Sequence, residues 1–337
     1  MINMQGSLMV VGTGIKSVGH ITLEAQGWIA QADAVPYCVT DPATAAWIER
    51  ANPHAEDLSI FYADDKPRAE TYREMTEAIL RPVRAGLDVC AVFYGHPGVF
   101  VNPSHEAIRL AREEGYRAGM LPAVSALDCL FADLDIDPAL PGCQMFEATD
   151  YLLNRRRLNP QCHVILWQVG VVGDRGFSSA GYDARNLPIL IEELQRIYGR
   201  EYEVMHYQAA TYPICPALIQ RLPLSQLTPG TVTSTSTLYI PPKDASCRDE
   251  AMARRLGLDD GLTATLHRQR DAIPYRPPDE ASTLARLLAD LSRDPRLLAQ
   301  FMRNPEATVA RYGSLSAAER DAVLDGRPGP MRMAMLR

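Results

Sequence analysis

The residues that could do chemistry lie where apolar runs end. Gly12-Thr13-Gly14 follows one such run and invites a dinucleotide reading, since G-x-G opens the phosphate-binding turn of that motif. The third glycine is missing, because position 17 is Ser. The acidic residues nearby are badly placed: Asp33 precedes its strand and Asp41 has the setting of a helix cap. A tight turn is the ordinary reading of G-T-G alone. Gly95-His96-Pro97-Gly98 ends a second run, where two glycines and a proline let backbone approach a ligand at little steric cost. Leu121-Pro122-Ala123-Val124-Ser125-Ala126 is a third small-residue turn ahead of a helix. Taken singly, each is also what a plain strand-to-helix turn looks like. Arg68 and Tyr72 stand four apart, a spacing that is ordinarily a helix-surface contact. The seven histidines form no ligand-spaced cluster and the seven cysteines no C-x-x-C pair, so neither a metal site nor a disulfide framework is expected.

The elements that must position these turns alternate regularly. Apolar runs over 7–11, 34–40 and 88–94 predict strands, and helical patterns over 21–30, 70–84 (with Pro82 near its end) and 104–114 separate them. Asp41-Pro42 starts another helix, with Asp as cap and Pro at the first helical position. Strand, helix, strand at these intervals argues for a mainly parallel sheet. A second α/β stretch follows, with strands over 163–169, 203–207 and 236–240 and a helix over 187–198. Two successive lobes imply a cleft, a common place for ligands. Residues 244–278 are polar and end Pro-rich, which fits a connector. Beyond them, 279–325 is helical throughout. Leu284, Leu287, Leu288 and Leu291 form one stripe, Asp294-Pro295 and Asn304-Pro305 each pair a cap with Pro, and Ser316 with Glu319 makes a capping box.

Composition narrows the function classes. The 337 residues suffice for two domains, or one large domain with an appendage, at 47% hydrophobic and 22% charged content. A net charge of −7 argues against a general nucleic-acid or acidic-membrane binder. No apolar run approaches the roughly 20 residues that span a bilayer. The start, MINMQGSLMVVGTG, lacks a basic segment before its apolar run and reads as a first strand rather than a signal peptide. Scattered cysteines, odd in number, fit a reducing cytoplasm.

The order of the three turns changes their weight. With GSLMVVGTGIKSVGHITL, YCVTDPAT, DVCAVFYGHPGVFVNPSH, EGYRAGMLPAVSALDCLFADLDIDP and STLYIPPK, the chain resembles the tetrapyrrole-methylase superfamily, and within it the borosin peptide α-N-methyltransferases. The segment DPRLLAQFMRNPEATVARYGSLSAAERDAVLDG is similar to that family's helical precursor-binding domain. The resemblance implies a two-lobed α/β (class III) methyltransferase domain over 1–243, a connector or clasp over 244–278, and a precursor-like α-helical bundle with a short tail over 279–337. It implies S-adenosylmethionine as cofactor, a ribosomally made peptide as substrate and an interlocked homodimer.

Residue roles follow from the same resemblance. An amide nitrogen is a poor nucleophile because its lone pair is delocalised into the carbonyl, so its proton must leave or the amide be polarised as a methyl group arrives. In the stretch FYADDKPRAETY, Arg68 would stabilise the imidate-like oxygen, Tyr72 would be the base with a phenol lowered by Arg68, and Tyr62 would orient the amide. Tyr94 would bridge the amide and the cofactor's methyl group. For the cofactor, the resemblance implies Tyr94, His96, Val99 and Asn102 at the second turn, Ser125 and Ala126 at the third, then Gln168, Ala209, Ser236 and Thr237.

Two departures from the family stand out. Ser59 replaces a tyrosine, and the apolar core peptide of fused members has no counterpart before the chain stops at GPMRMAMLR. The substrate is then a separate precursor or the chain's own C-terminus, or the natural end lies beyond Arg337. A small-molecule (tetrapyrrole) methylase and a non-catalytic precursor-binding scaffold are the alternatives. The first leaves the bundle and the Tyr62/Arg68/Tyr72 set without a role.

Overall fold

A computed structural model describes residues 6–64, 66–174, 176–179, 181–243, 249–257, 282–327, 330–331 and 334. Most of the expected connector (244–248 and 258–278), the first residues of the expected bundle (279–281) and most of the terminal tail lie outside them. The chain divides into two compact units, Met1–Ala25 with Ala32–Ser246, and Gln26–Gln31 with Cys247–Arg337.

The first unit holds two sheets. In one, β1 (Ser7–Gly12), β2 (Val35–Cys38), β3 (Ala55–Asp57), β4 (Asp88–Phe93) and β5 (Arg117–Met120) run parallel in the order β3-β2-β4-β1-β5. The helix α1 (Leu23–Gln31) is divided between the two units, and this unit's own helices are α2 (Pro42–Ala51), α3 (Arg68–Arg84) and α4 (Asn102–Glu113). Leu8, Val10, Val89, Ala91 and Phe93 pack with Met75, Ile79, Leu80 and Val83 of α3 and Ala107 and Ala111 of α4. Burial on both faces explains why β1 and β4 read as continuous apolar runs. Asp41 caps α2 as its sequence suggests, accepting from the backbone N–H groups of Ala43 and Thr44.

The other sheet combines β6 (Cys143–Glu147), β7 (His163–Trp167), β8 (Glu203–Gln208), β9 (Leu218–Pro223) and β10 (Thr237–Ile240) in the order β6-β7-β10-β8-β9. Only β6 and β7 pair in parallel; the other neighbours are antiparallel. Alternation sorts its side chains onto two faces. Val164, Leu166, Val204, Leu238 and Ile240 meet Leu187, Leu190 and Leu194 of α7 (Leu187–Tyr198), while Ile165, Trp167, Tyr207 and Tyr239 meet Leu130 of α5 (Ala126–Leu134). A short helix α6 (Ala148–Leu153) links β6 to β7. β7 stops at Trp167, short of the expected 169, because Gln168 turns into the left-handed region at φ 58°.

In the second unit α8 (Glu250–Arg255) precedes a bundle of α9 (Thr283–Arg293), α10 (Pro295–Arg303), α11 (Pro305–Val309) and α12 (Ala317–Asp325). The leucine stripe forms its core: Leu284, Leu287 and Leu291 are buried with Val309, Leu315 and Val323, and Leu288 is partly buried beside them. Asp294 and Asn304 cap α10 and α11, and the Ser316–Glu319 box opens α12. Among the described residues, no helix is long and apolar enough to cross a membrane.

Candidate active site

The three turns converge. Gly14 and Gly95 exchange backbone hydrogen bonds of 3.2 and 3.0 Å. Gly12 sits so close behind them that an added Cβ would strike the Gly95 carbonyl and come within 2.7 Å of both Ala123 Cβ and Pro97 Cδ. Only hydrogen fits where the three loops cross. Gly95 itself has φ +70°, a conformation that glycine adopts without strain.

Beside this crossing is a cavity of about 390 Å³, within the range of small-molecule sites. Both sheets supply its walls, largely from the carboxyl ends of their strands. Of the residues the sequence singles out, Tyr62, Tyr72, Tyr94, His96, Val99, Ser125, Ala126, Gln168, Ala209 and Thr237 line it. Three do not. Asn102 begins α4 between two wall residues, Val101 and Pro103. Ser236 is fully buried, its hydroxyl 2.6 Å from His206 Nε2. Arg68 opens α3 and donates to the Gly176 carbonyl at 2.8 Å.

Wall residues that motif reading passed over include Cys38, Phe100, Trp167 and Gln208. Cys38, Trp167 and Gln208 are strand-terminal, and that position was the available signal. Phe100 follows the Gly95–Gly98 turn at φ 57° and meets the Trp167 ring edge-on at 5.9 Å. A left-handed phenylalanine is a strained conformer of the kind that concentrates at ligand sites.

The tyrosines have distinct surroundings. Tyr62 caps the short 3₁₀ turn Leu58–Phe61, and its ring packs on Phe177 at 5.2 Å. Tyr72 lies one helical turn after Arg68, so α3 aims both at the same region. The phenol of Tyr72 is raised, not lowered. Burial is the larger effect, and it outweighs the favourable charge of Arg68 and the hydrogen bond from Tyr62. Tyr62 is also raised by burial, with Cys38 and Tyr72 adding to it. Burial raises Tyr94, partly offset by a hydrogen bond from Thr211.

Several hydrogen bonds tie the site together. Pro67 and Gly176 form an isolated bridge, and Asp64 accepts from the Ser179 backbone at 2.7 Å and from its hydroxyl. The loop after β7 is thereby held against the Tyr62–Arg68 stretch. Ser59 donates its hydroxyl to Asp57 at 2.7 Å. Ser125 spends its hydroxyl in a capping box with Asp128 at the start of α5.

A model of the Tetrapyrrole (Corrin/Porphyrin) Methylases family matches residues 7–226. The solved structure of the methyltransferase CobJ has a TM-score of 0.50 over 72% of this chain and 97% of its own, at 18% identity. Cobalt precorrin-4 methyltransferase has the same score over 71% and 95%, at 16% identity. At such identity these likenesses establish the fold. Sequence relatives reach further. The methyltransferase/omphalotin A precursor of Omphalotus olearius is 39% identical over 98% of this chain and 88% of its own length. The methyltransferase/dendrothelin A precursor of Dendrothele bispora is 40% identical over the same shares. A methyltransferase/type III borosin cyclic peptide precursor of Anomoporia bombycina is 40% identical over 98% of this chain, which spans only 43% of that protein. The chain belongs to the tetrapyrrole methylase family and, within it, to the borosin methyltransferases.

Proposed function

We propose that this protein N-methylates backbone amides of a ribosomally made peptide, with S-adenosylmethionine as methyl donor. The observation that carries the reading is one cavity shared by the converging small-residue turns and by Tyr62, Tyr72 and Tyr94. Backbone walls and apolar side chains suit an adenosine-sized ligand, and the tyrosines supply hydroxyls for an amide. When bound, S-adenosylmethionine supplies an electrophilic methyl group on a sulfonium.

The chain's residues then act on the amide. Tyr72 takes its proton, helped by the neighbouring Tyr62 hydroxyl, which favours charge on Tyr72. Arg68 stabilises the developing negative oxygen with guanidinium N–H groups beyond the one held by Gly176. Tyr94, just after β4, orients the amide toward the methyl group. His96, Val99 and Asn102, Ser125 and Ala126, and Gln168, Ala209 and Thr237 form the cofactor's surroundings in this reading.

Domain roles belong to the same proposal: catalysis in 1–243, a clasp over 244–278, and peptide positioning by the bundle of 279–337. The working state is a homodimer in the cytoplasm. Its substrate peptide lies on a separate precursor or at the chain's own C-terminus. Intact-mass spectra of the protein incubated with S-adenosylmethionine and candidate peptides test the proposal. Mass gains in steps of one methyl group, placed on backbone amides by fragmentation, are expected. Cofactor turnover confined to a tetrapyrrole would overturn it.

A further inference from the structure

The second sheet carries a buried polar relay that ends on the cavity wall. His206 in β8 is fully buried, and both of its ring nitrogens are engaged. Nδ1 lies 2.9 Å from Gln220 Oε1, on the exposed edge strand β9. A carboxamide oxygen can only accept, so Nδ1 carries the proton, and Nε2 of the singly protonated ring accepts. The Ser236 hydroxyl, 2.6 Å away, gives its proton to Nε2. The Ser236 oxygen is then left to accept from the Thr233 backbone N–H at 2.7 Å and from the Gln208 amide nitrogen at 3.3 Å. The same amide nitrogen is 3.4 Å from His206 Nε2. Both atoms that the Gln208 amide nitrogen meets, Ser236 Oγ and His206 Nε2, act as acceptors in this arrangement. The NH₂ of Gln208 is therefore turned inward, and its oxygen, with no protein partner among the described residues, is left for the cavity that Gln208 lines.

We infer that Gln208 is a specificity residue: its carboxamide oxygen accepts a hydrogen bond from a primary amine of the bound cofactor. His206, Ser236 and Gln220 are positioning residues that stop the amide from turning over. An overturned amide would set its NH₂ against that amine, donor against donor. The inference rests on the proposal that the cavity holds S-adenosylmethionine. That molecule has two such amines, the 6-amino group of adenine and the α-ammonium of its methionine part. Ser236 thus acts behind the wall rather than on the cofactor.

The test is calorimetric binding of three ligands to the full chain: S-adenosylhomocysteine, S-inosylhomocysteine (oxygen for the 6-amino group) and 5′-methylthioadenosine (no amino-acid part). Wild type is expected to bind the first and to penalise at least one analogue. Gln208→Leu should weaken S-adenosylhomocysteine by about 5- to 50-fold, the worth of one hydrogen bond in a dry site. It should also remove one penalty. Loss of the inosyl penalty assigns the adenine amine, and a shrunken methylthioadenosine penalty assigns the α-ammonium. Gln220→Leu should produce part of the same pattern in a protein that still folds, with a melting temperature lowered only modestly. A Gln208→Leu protein that keeps wild-type affinity and both penalties overturns the inference. A wild type that binds none of the three instead removes the cofactor reading beneath it.

Discussion

Tyr62 and Tyr72 stand partly buried side by side on the cavity wall, and the Tyr62 hydroxyl is one of the influences that lower the Tyr72 phenol while burial raises it more. The proposal that Tyr72 is the base rests on this pairing. It predicts that Tyr72→Phe abolishes methylation, on the order of 10²–10³ in rate, while S-adenosylhomocysteine affinity is retained. Single-turnover kinetics beside calorimetry separate the two quantities. Near-normal turnover would remove Tyr72 from the chemistry.

Tyr62→Phe should act more gently and show itself in pH. Burial already holds the Tyr72 phenol above its ordinary value, and deleting the Tyr62 donor removes an effect that lowers it. The base then ionises only at higher pH. Activity near neutrality should fall about tenfold, in keeping with a lost hydrogen bond to a charged group, and should recover as pH rises. A pH–rate profile that moves down uniformly, without moving to higher pH, would contradict the pairing.

Gly12→Ala tests the crossing of the turns. Its methyl group has backbone on one side and two side chains on the others, so the loops must part. We expect a loss on the order of 2–3 kcal/mol in stability. The melting temperature should fall, and cofactor affinity should fall with it. An unchanged melting curve would mean that the loops part freely.

Asp41 is both the cap of α2 and a buried carboxylate. Burial alone would raise its carboxyl, but hydrogen bonds from Ser17, Thr44 and Tyr212 hold it at about 2. A carboxylate depressed below its unfolded value of about 3.9 stabilises the fold above that pH. This stability drains away as pH falls from about 4 toward 2. Asp41→Ala should cost about 1 kcal/mol at neutral pH through the lost cap and flatten the acid limb of the stability profile. Asp41→Asn, which keeps an acceptor, should cost less at neutral pH, as denaturant titrations can check.

How much of this was legible in the sequence depended on how local the cause was. The caps at Asp41, Asp294, Asn304 and Ser316 could be read because a cap is set by residues within one turn of each other. The strands β1 and β4 announced themselves as buried runs. β3, β5, β6 and β9 did not: they are short, or half exposed, and carry residues such as Glu56, Arg117, Gln144 and Arg221. Their pairing is decided by neighbours far along the chain. The expected lowering of Tyr72 failed for the same reason, since Arg68 is visible in the sequence and burial is not. Ser236 was singled out as a cofactor contact, and its partner His206, thirty positions away, was invisible to motif reading.

The position of β10 sets an order of events during synthesis. It is the last strand of its sheet in the chain, yet it lies in the middle, between β7 and β8. The parallel sheet needs nothing beyond Met120 to pair its strands, so it can assemble while the ribosome is still making the rest. Until Thr237–Ile240 emerges, β7 and β8 have no strand to join them, and Trp167, Gln208 and Thr237 cannot stand together as a wall. In a nascent chain the cavity wall therefore stays incomplete until this last strand takes its central place.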